Sequence, residues 1–123
     1  MDSYQKVIAA SRYARFIPEL KRRESWEETV DRMVNYLKSK NEGLDKEFKE
    51  IREAVLNLEI MPSMRLMMSA GEACDRDNIA AYNCSYLAIN NKRAFSEALY
   101  ILMNGTGVGF SCERQEISKL PEI

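Results

Sequence analysis

Apolar residues in the first half of the chain recur at helical spacing. Over residues 26–37 they fall every three or four positions, which predicts an amphipathic helix. This helix should begin after Ser25, because Ser25 and Glu28 have the spacing of a capping box, in which each side chain bonds the other residue's amide. A second stripe of the same kind runs over residues 44–58, after a break at residues 41–43. The two patterns predict an antiparallel helix pair joined by a short turn.

The pattern changes in the second half of the chain. Residues 63–70 predict one or two helical turns ended by Gly71, and residues 72–78 predict a polar loop. Residues 80–89 form an apolar run with polar residues at both ends, which is typical of a strand. Cys84 is therefore expected in the middle of a strand.

A helix and a second strand are predicted to follow. Residues 94–103 have helical spacing, and residues 106–112 resemble a strand. Four apolar side chains of the helix are expected to face inward: Phe95, Leu99, Leu102 and Met103. The sequence thus predicts a mainly α N-terminal region, residues 1–71, and the first strand–helix–strand of an α/β fold, residues 72–123. Two strands cannot bury their own faces, so the second region is expected to be incomplete as a domain.

Charge and composition narrow the classes of function. Basic and acidic residues nearly balance, 18 against 19, which argues against a nucleic-acid arm or a membrane-surface patch. No run of about 18 apolar residues is present, so neither a transmembrane span nor a secretory signal is expected. Three cysteines without a C-x-x-C pair, and no histidine, predict no metal site in this chain. The composition favours a cytoplasmic protein with reduced thiols.

The segment Gly105-Thr106-Gly107-Val108-Gly109 allows two interpretations. Glycines let backbone amides approach an anion, so the segment could form a phosphate-binding loop. A dinucleotide-binding loop, however, follows a strand and opens a helix, and the predicted order here is the reverse. The other interpretation is a helix C-cap followed by a tight turn.

Cys84 and the segment Pro62-Ser63-Met64-Arg65 carry the other candidate chemistry. Cys84 is either a buried structural residue or a redox thiol, which would need a partner thiol or an activating neighbour. Ser63 and Arg65 at a helix start could hold an anion, or they could be a helix cap and a surface arginine. The residues alone leave both alternatives open.

Taken together and in this order, the motifs resemble the catalytic subunit of ribonucleotide reductase, most closely its adenosylcobalamin-dependent class II form. The resemblance runs from about residue 11 to residue 121, and joint occurrence in order is more specific than any single motif. The matching segments are Ser11-Arg12-Tyr13-Ala14-Arg15, Met61-Pro62-Ser63-Met64-Arg65, Asn78-Ile79-Ala80-Ala81-Tyr82-Asn83-Cys84-Ser85-Tyr86, residues 94–103 and Gly105-Thr106-Gly107-Val108-Gly109-Phe110-Ser111.

The resemblance implies a fold and a reaction. The family's fold is a ten-stranded α/β barrel preceded by helices, and this chain would supply the helices and the first barrel strand. The cysteine that matches Cys84 is one of two thiols that reduce the ribose 2′ carbon and end as a disulfide, after a thiyl radical on a third cysteine removes the 3′ hydrogen. Adenosylcobalamin generates that radical and is bound mainly outside the matching segment. Ser63, Asn83 and Gly107 match positions close to the ribonucleotide substrate.

The resemblance also implies a site for a deoxyribonucleoside triphosphate effector near a homodimer interface. Asn91 and Arg114 fall where effector-contacting residues are expected. The chain departs from the family at Asn90-Asn91, where a carboxylate is common, and at Cys112, where an aliphatic residue is expected. Cys112 is therefore interpreted as a small strand residue and not as the redox partner of Cys84.

Other parts of the family's active site have no match in the chain. The radical cysteine and the second redox cysteine lie downstream in the family. The chain is thus expected to be an N-terminal fragment or split piece, inactive alone, that works with the remaining reductase polypeptide to complete the barrel. A different class of function is a non-catalytic helical folding or dimerisation module that retains the motif. Independent nucleotide binding by the glycine turn is a third alternative.

Overall fold

A computed structural model describes residues 1–122 as seven helices and four short strands. Ile123, the last residue of the predicted second region, lies outside the described residues. The helices are α1 (Ser3–Ile8), α2 (Trp26–Lys40), α3 (Asp45–Leu56), α4 (Met64–Ser69), α5 (Glu72–Arg76), α6 (Arg93–Met103) and α7 (Arg114–Ile117). The strands are β1 (Phe16–Ile17), β2 (Arg22–Arg23), β3 (Cys84–Ala88) and β4 (Gly107–Ser111); a π-helical turn covers Ala9–Tyr13 and a 3₁₀ turn Asn78–Ala81.

The helical region has a core of its own between α2, α3 and α4. The predicted capping box begins α2: the Glu28 amide donates to Ser25 Oγ at 3.2 Å, and the Ser25 amide donates to the Glu28 carboxylate at 2.6 Å. Both bonds satisfy amides that a helix start otherwise leaves without partners. The buried side chains of this core are Val30, Met33, Val34, Phe48, Val55, Met67 and Ala70.

The segment between the helical core and β3 differs from the prediction. The expected polar loop over residues 72–78 is wrong for most of its length, because α5 covers Glu72–Arg76 and buries Cys74. The expected strand over residues 80–89 is shorter and begins only at Cys84. A local hydrogen bond explains the delay: the Ile79 amide donates to the Asp77 carboxylate at 3.0 Å and starts the 3₁₀ turn.

The second region is a strand–helix–strand unit. Strands β3 and β4 pair in parallel, with Cys84 opposite Gly107 and Ala88 opposite Ser111, and α6 connects them. The predicted order of elements is therefore present, while the ten-stranded barrel and the division at residue 71 stay predictions.

The predicted inward face of α6 is wrong for the described residues. Its four apolar side chains are exposed at 58% for Phe95, 58% for Leu99, 53% for Leu102 and 78% for Met103. Two strands offer too little surface to cover a whole helix face, and among the residues of α6 only Ala94 is buried. Within residues 1–122, no helix is both long enough and apolar enough to cross a lipid bilayer.

Candidate functional site

Cys84 is exposed at the first position of β3, and not mid-strand as expected. Its partner on the neighbouring strand is Gly107, and Tyr86, two residues further, pairs with Gly109. Side chains two apart share one face of a strand, so Cys84 and Tyr86 point to the same side. The position next to the thiol on that side, Gly107, carries no side chain.

At the glycine turn the structure agrees with the second interpretation, a helix C-cap followed by a tight turn. Gly105 has a positive φ of 82° and its amide donates to the Leu102 carbonyl at 2.9 Å, while the Thr106 amide donates to the Ile101 carbonyl at 3.3 Å. This pattern ends α6 in the way that a left-handed glycine usually ends a helix. The turn follows a helix and enters a strand, so it lacks the surroundings of a dinucleotide-binding loop.

Ser63 and Asn83 line one cleft of about 420 Å³. Asn83 is the residue before Cys84 in the sequence. Ser63 is the N-cap residue of α4 and its carbonyl accepts from the Met67 amide at 3.0 Å, but its side chain makes no capping hydrogen bond, so the side-chain cap that one interpretation offered is not formed. Its hydroxyl is thus open to the cleft. The remaining lining residues come from α2, from α4 and from the 3₁₀ turn with the residue after it: Tyr36, Leu37, Leu66, Asn78, Ala81 and Tyr82.

Hydrogen bonds join the helical region to the strands at this site. The Arg65 guanidinium donates to the Gly105 carbonyl, so this arginine is half-buried against the glycine turn and is not a free surface residue. The Ser69 hydroxyl donates to the Ala80 carbonyl at 2.9 Å. The Thr106 hydroxyl lies 3.0 Å from the Ile79 carbonyl and 2.9 Å from the Tyr82 carbonyl and donates its proton to this pair. The sequence pattern did not identify Ser69 or Thr106 as residues that hold this site together.

An ion pair under α4 fixes the helix that Ser63 precedes. Arg32 and Glu24 form a bidentate contact with distances of 2.8 and 2.9 Å, with side-chain exposures of 14% and 9%. Arg32 also donates to the carbonyls of Met67 at 3.0 Å and Ala70 at 3.1 Å. Burial raises the pKa of Glu24, but hydrogen bonds from Arg32, the Arg15 amide and Thr29 outweigh burial, and the net pKa is lowered.

The three cysteines lie in different surroundings, and all are free thiols. Cys74 is buried in α5, and burial raises the pKa of its thiol, which makes it a poor nucleophile at neutral pH. Cys112 is exposed just after β4, five positions beyond the partner of Cys84. At about 3.3 Å per residue this is about 16 Å from Cys84 along the sheet, far beyond disulfide range.

Asn91 and Arg114 lie at the opposite end of the two strands from Cys84. Asn91 follows β3 and its side-chain oxygen accepts from the Ala94 amide at 3.0 Å, so it caps the start of α6. Arg114 is exposed at the start of α7, which follows β4. The segment after β3 meets α7 where Asn90 donates to the Glu116 carboxylate at 3.1 Å. The structure thus brings the segment with Asn91 to the helix with Arg114, without a hydrogen bond between Asn91 and Arg114 themselves.

A metal cluster is not found in the part of the chain that the structure describes. In residues 1–122, no three side chains of histidine, cysteine, aspartate or glutamate are arranged so that they could hold a metal ion. The polar cleft formed by Tyr36, Lys40, Cys74 and the segment 75–78 has a volume of about 560 Å³ and contains an ion pair of 2.6 Å between Lys40 and Asp75. The Lys40 ammonium group therefore neutralises the Asp75 carboxylate in this cleft.

Comparison with known proteins points to one kind of enzyme. No protein-family model matches the chain. The adenosylcobalamin-dependent ribonucleoside-triphosphate reductase of Lacticaseibacillus paracasei is 30% identical over 145 aligned positions, which cover 90% of this chain and 19% of that protein. The enzyme of the same name from Lactobacillus delbrueckii subsp. bulgaricus is 29% identical, over 90% of this chain and 20% of that protein.

A solved structure agrees with the sequence relatives. The crystal structure of a B12-dependent, class II ribonucleotide reductase superimposes with a TM-score of 0.81 at 27% identity, over 95% of this chain and 21% of that one. The chain therefore spans about a fifth of the length of the proteins that it matches. Over nine-tenths of its length, this chain is homologous to part of the adenosylcobalamin-dependent class II ribonucleotide reductases, the family that its motifs resemble.

Proposed function

We propose that this chain contributes the redox thiol of Cys84 to a B12-dependent reductase that converts ribonucleotides to deoxyribonucleotides. The observation that carries the proposal is the position of Cys84. Its thiol is exposed on a strand opposite Gly107, and the preceding residue, Asn83, lines the same cleft as Ser63. A thiol on a paired strand is held more rigidly than one on a loop, as reactions that need fixed geometry require.

The reaction proposed for Cys84 is balanced by a second thiol from outside this chain. Two thiols lose two hydrogen atoms and form one disulfide bond. One of these hydrogens takes the place of the ribose 2′ hydroxyl on carbon, and the other leaves with that hydroxyl as water. Neither Cys74, which is buried, nor Cys112, which lies about 16 Å away along the strands, can supply the second sulfur.

The cleft that Ser63 and Asn83 line, one residue before Cys84 in the sequence, is the proposed binding site for part of the ribonucleotide. Asn83 offers an amide group that can donate to and accept from ribose hydroxyls, and the uncommitted Ser63 hydroxyl can donate to a phosphate oxygen. Gly107 leaves the space beside the thiol open to the sugar. Relatives are named as ribonucleoside-triphosphate reductases, so a ribonucleoside triphosphate is the proposed substrate.

Adenosylcobalamin, the cofactor named for the relatives, does not fit the residues of this chain. The chain has no histidine to reach a cobalt ion. The clefts at Ser63 and Lys40, of about 420 and 560 Å³, are of the size that suits drug-sized ligands, and a corrinoid is much larger. We therefore place cobalamin binding in the rest of the reductase and assign no residue here to it.

The remaining reductase polypeptide is the proposed partner, and it would cover the apolar side chains that this chain leaves exposed. Tyr86, Phe110 and four residues of α6 (Phe95, Leu99, Leu102 and Met103) leave large apolar side chains exposed, as residues at protein interfaces do before the partner binds. The same exposed side chains also suit the alternative function, a helical folding or dimerisation module.

Asn91 and Arg114 are the proposed contacts for a deoxyribonucleoside triphosphate effector near a homodimer interface. The cytoplasm, where thiols are kept reduced, is the proposed location.

A chimeric enzyme tests the proposal. The matching segment of the Lacticaseibacillus paracasei reductase is replaced by this chain, and deoxyribonucleotide formation is measured with adenosylcobalamin present. We expect the chimera to be active, Cys84→Ser to abolish activity, and the matched control Cys112→Ser to retain it. An inactive chimera with the unaltered chain, or an active Cys84→Ser variant, would contradict the proposal.

A further inference from the structure

Thr106 is a buried polar residue at the entrance to β4. Its side chain is 1% exposed, and its hydroxyl donates to the carbonyls of Ile79 and Tyr82 over 3.0 and 2.9 Å. These carbonyls belong to the segment that leads into Cys84, more than twenty positions earlier in the chain. The hydroxyl thus links the segment that precedes β3 to the start of β4.

Two hydrogen bonds to the backbone of Gly107 continue this connection up to the thiol. The Gly107 amide, next to Thr106, donates to the Asn83 carbonyl at 3.0 Å, and the Ser85 hydroxyl donates to the Gly107 carbonyl at 3.2 Å. Cys84 lies between these two partners in the sequence. The location of Gly107 opposite the thiol therefore depends on how the start of β4 is held.

We infer that Thr106 is a positioning residue for the Cys84 thiol. Its buried hydroxyl holds the start of β4 against the segment before β3, so that the side-chain-free position at Gly107 stays beside the sulfur. At the other side of the turn, Arg65 donates to the Gly105 carbonyl and restrains the turn from α4. The inference deepens the proposed redox function and rests on it.

Valine tests the hydroxyl because it keeps the shape of threonine and removes the donor. In Thr106→Val the Tyr82 carbonyl loses its buried donor, which is costly wherever water cannot replace it, while the Ile79 carbonyl keeps the Tyr82 amide at 3.0 Å. Thr106→Ser restores the donor. A matched control is Thr29→Val, because Thr29 is also 1% exposed and its hydroxyl lies 3.0 Å from the Ser25 carbonyl and 3.1 Å from Glu24, within the helical region.

Two measurements on the full chain separate positioning from general stability. In Thr106→Val we expect the Gly107 amide to exchange with solvent about tenfold faster, and iodoacetamide to modify Cys84 at least about threefold faster, with Cys112 unchanged. Thr106→Ser and Thr29→Val should leave both rates near those of the unaltered chain. Equal acceleration at Cys84 and Cys112, no acceleration at Gly107, or no rescue by serine would overturn the inference.

Turnover in the chimeric reductase distinguishes this inference from the proposed function. For Thr106→Val we expect kcat to fall about tenfold or more with KM little changed, because a misplaced thiol slows chemistry and not substrate binding. Thr106→Ser should recover most of kcat. If Cys84→Ser stays active, the redox function itself is wrong; if Cys84→Ser is inactive and Thr106→Val turns over normally, only the positioning role is wrong.

Discussion

Cys84 and Gly107 lie opposite each other at the first pair of positions of β3 and β4. Glycine is not required there by backbone conformation, because Gly107 does not have a positive φ. A Cβ at Gly107 would meet the Asn83 carbonyl oxygen at 3.6 Å, an ordinary contact distance. The fold therefore tolerates a side chain at this position. We propose that glycine is needed here for function, because it keeps the space beside the thiol open to the substrate.

Substitution at Gly107 should separate stability from activity. We expect Gly107→Val to change the free energy of unfolding by less than about 1 kcal/mol, because valine suits a strand, and to reduce turnover strongly by filling the space beside Cys84. Gly109→Ala is the matched control, since its Cβ would meet Tyr86 at 3.6 Å. Urea unfolding and turnover of the chimeric reductase provide the two readouts. Normal turnover in Gly107→Val would count against a substrate site beside the thiol.

The Glu24–Arg32 pair should make stability depend on pH. The pKa of Glu24 is lowered in the fold, so the stability it contributes is present above the unfolded-state pKa and is lost as the pH falls through the folded-state pKa. We expect Glu24→Gln to cost about 2–3 kcal/mol at pH 7 and to flatten the fall in stability on acidification. Glu50→Gln, which removes an exposed pair with Lys46, should cost less than about 1 kcal/mol. Urea unfolding from pH 7 to pH 3 measures both effects, and equal losses for the two variants would refute the role of the buried pair.

Two glycines with almost the same φ isolate the contact between Arg65 and the glycine turn. Gly43 has φ 80° with no atom within 4 Å of an added Cβ, whereas at Gly105, with φ 82°, the added Cβ would lie 3.1 Å from Arg65. We expect Gly43→Ala to cost about 1 kcal/mol from backbone strain alone. Gly105→Ala should cost more, because the guanidinium must also move.

The excess cost at Gly105 should disappear when Arg65 is absent. In a double-mutant cycle, Gly105→Ala in an Arg65→Ala background is expected to cost about as much as Gly43→Ala, about 1 kcal/mol. Thermal unfolding of the four variants measures this coupling. An equal cost of Gly105→Ala with and without Arg65 would show that the arginine does not restrain the turn.

Local signals predicted local structure well. The start of α2 follows from Ser25 and Glu28, which are three positions apart and satisfy each other's amides. The end of α6 at the glycine turn follows from the conformational freedom of Gly105. The strand start was predicted too early because the hydrogen bond from the Ile79 amide to Asp77 favours a 3₁₀ turn over continuing the extended run.

Contacts between distant segments were beyond the sequence pattern. The carbonyl partners of Thr106 lie 24 and 27 positions away, and those of Arg32 on α4 lie 35 and 38 positions away. Periodicity identified the apolar face of α6 but not what covers it, so its inward orientation was predicted wrongly. Cys84, Ser63 and the glycine segment with Gly107 were candidates from the residues alone, but only the family resemblance added Asn83 and gave each residue a specific role, and these roles stay predictions.

The oxidation state of Cys84 after a single round of reduction is the sharpest test of its proposed redox role. The chimeric reductase, fully reduced and freed of external reductant, is given ribonucleoside triphosphate and adenosylcobalamin, and its peptides are analysed by mass spectrometry. We expect Cys84 to be recovered in a disulfide with a cysteine outside this chain, in proportion to the deoxyribonucleotide formed, while Cys74 and Cys112 stay reduced. Deoxyribonucleotide formed in the same amount with Cys84 still a free thiol would contradict that role.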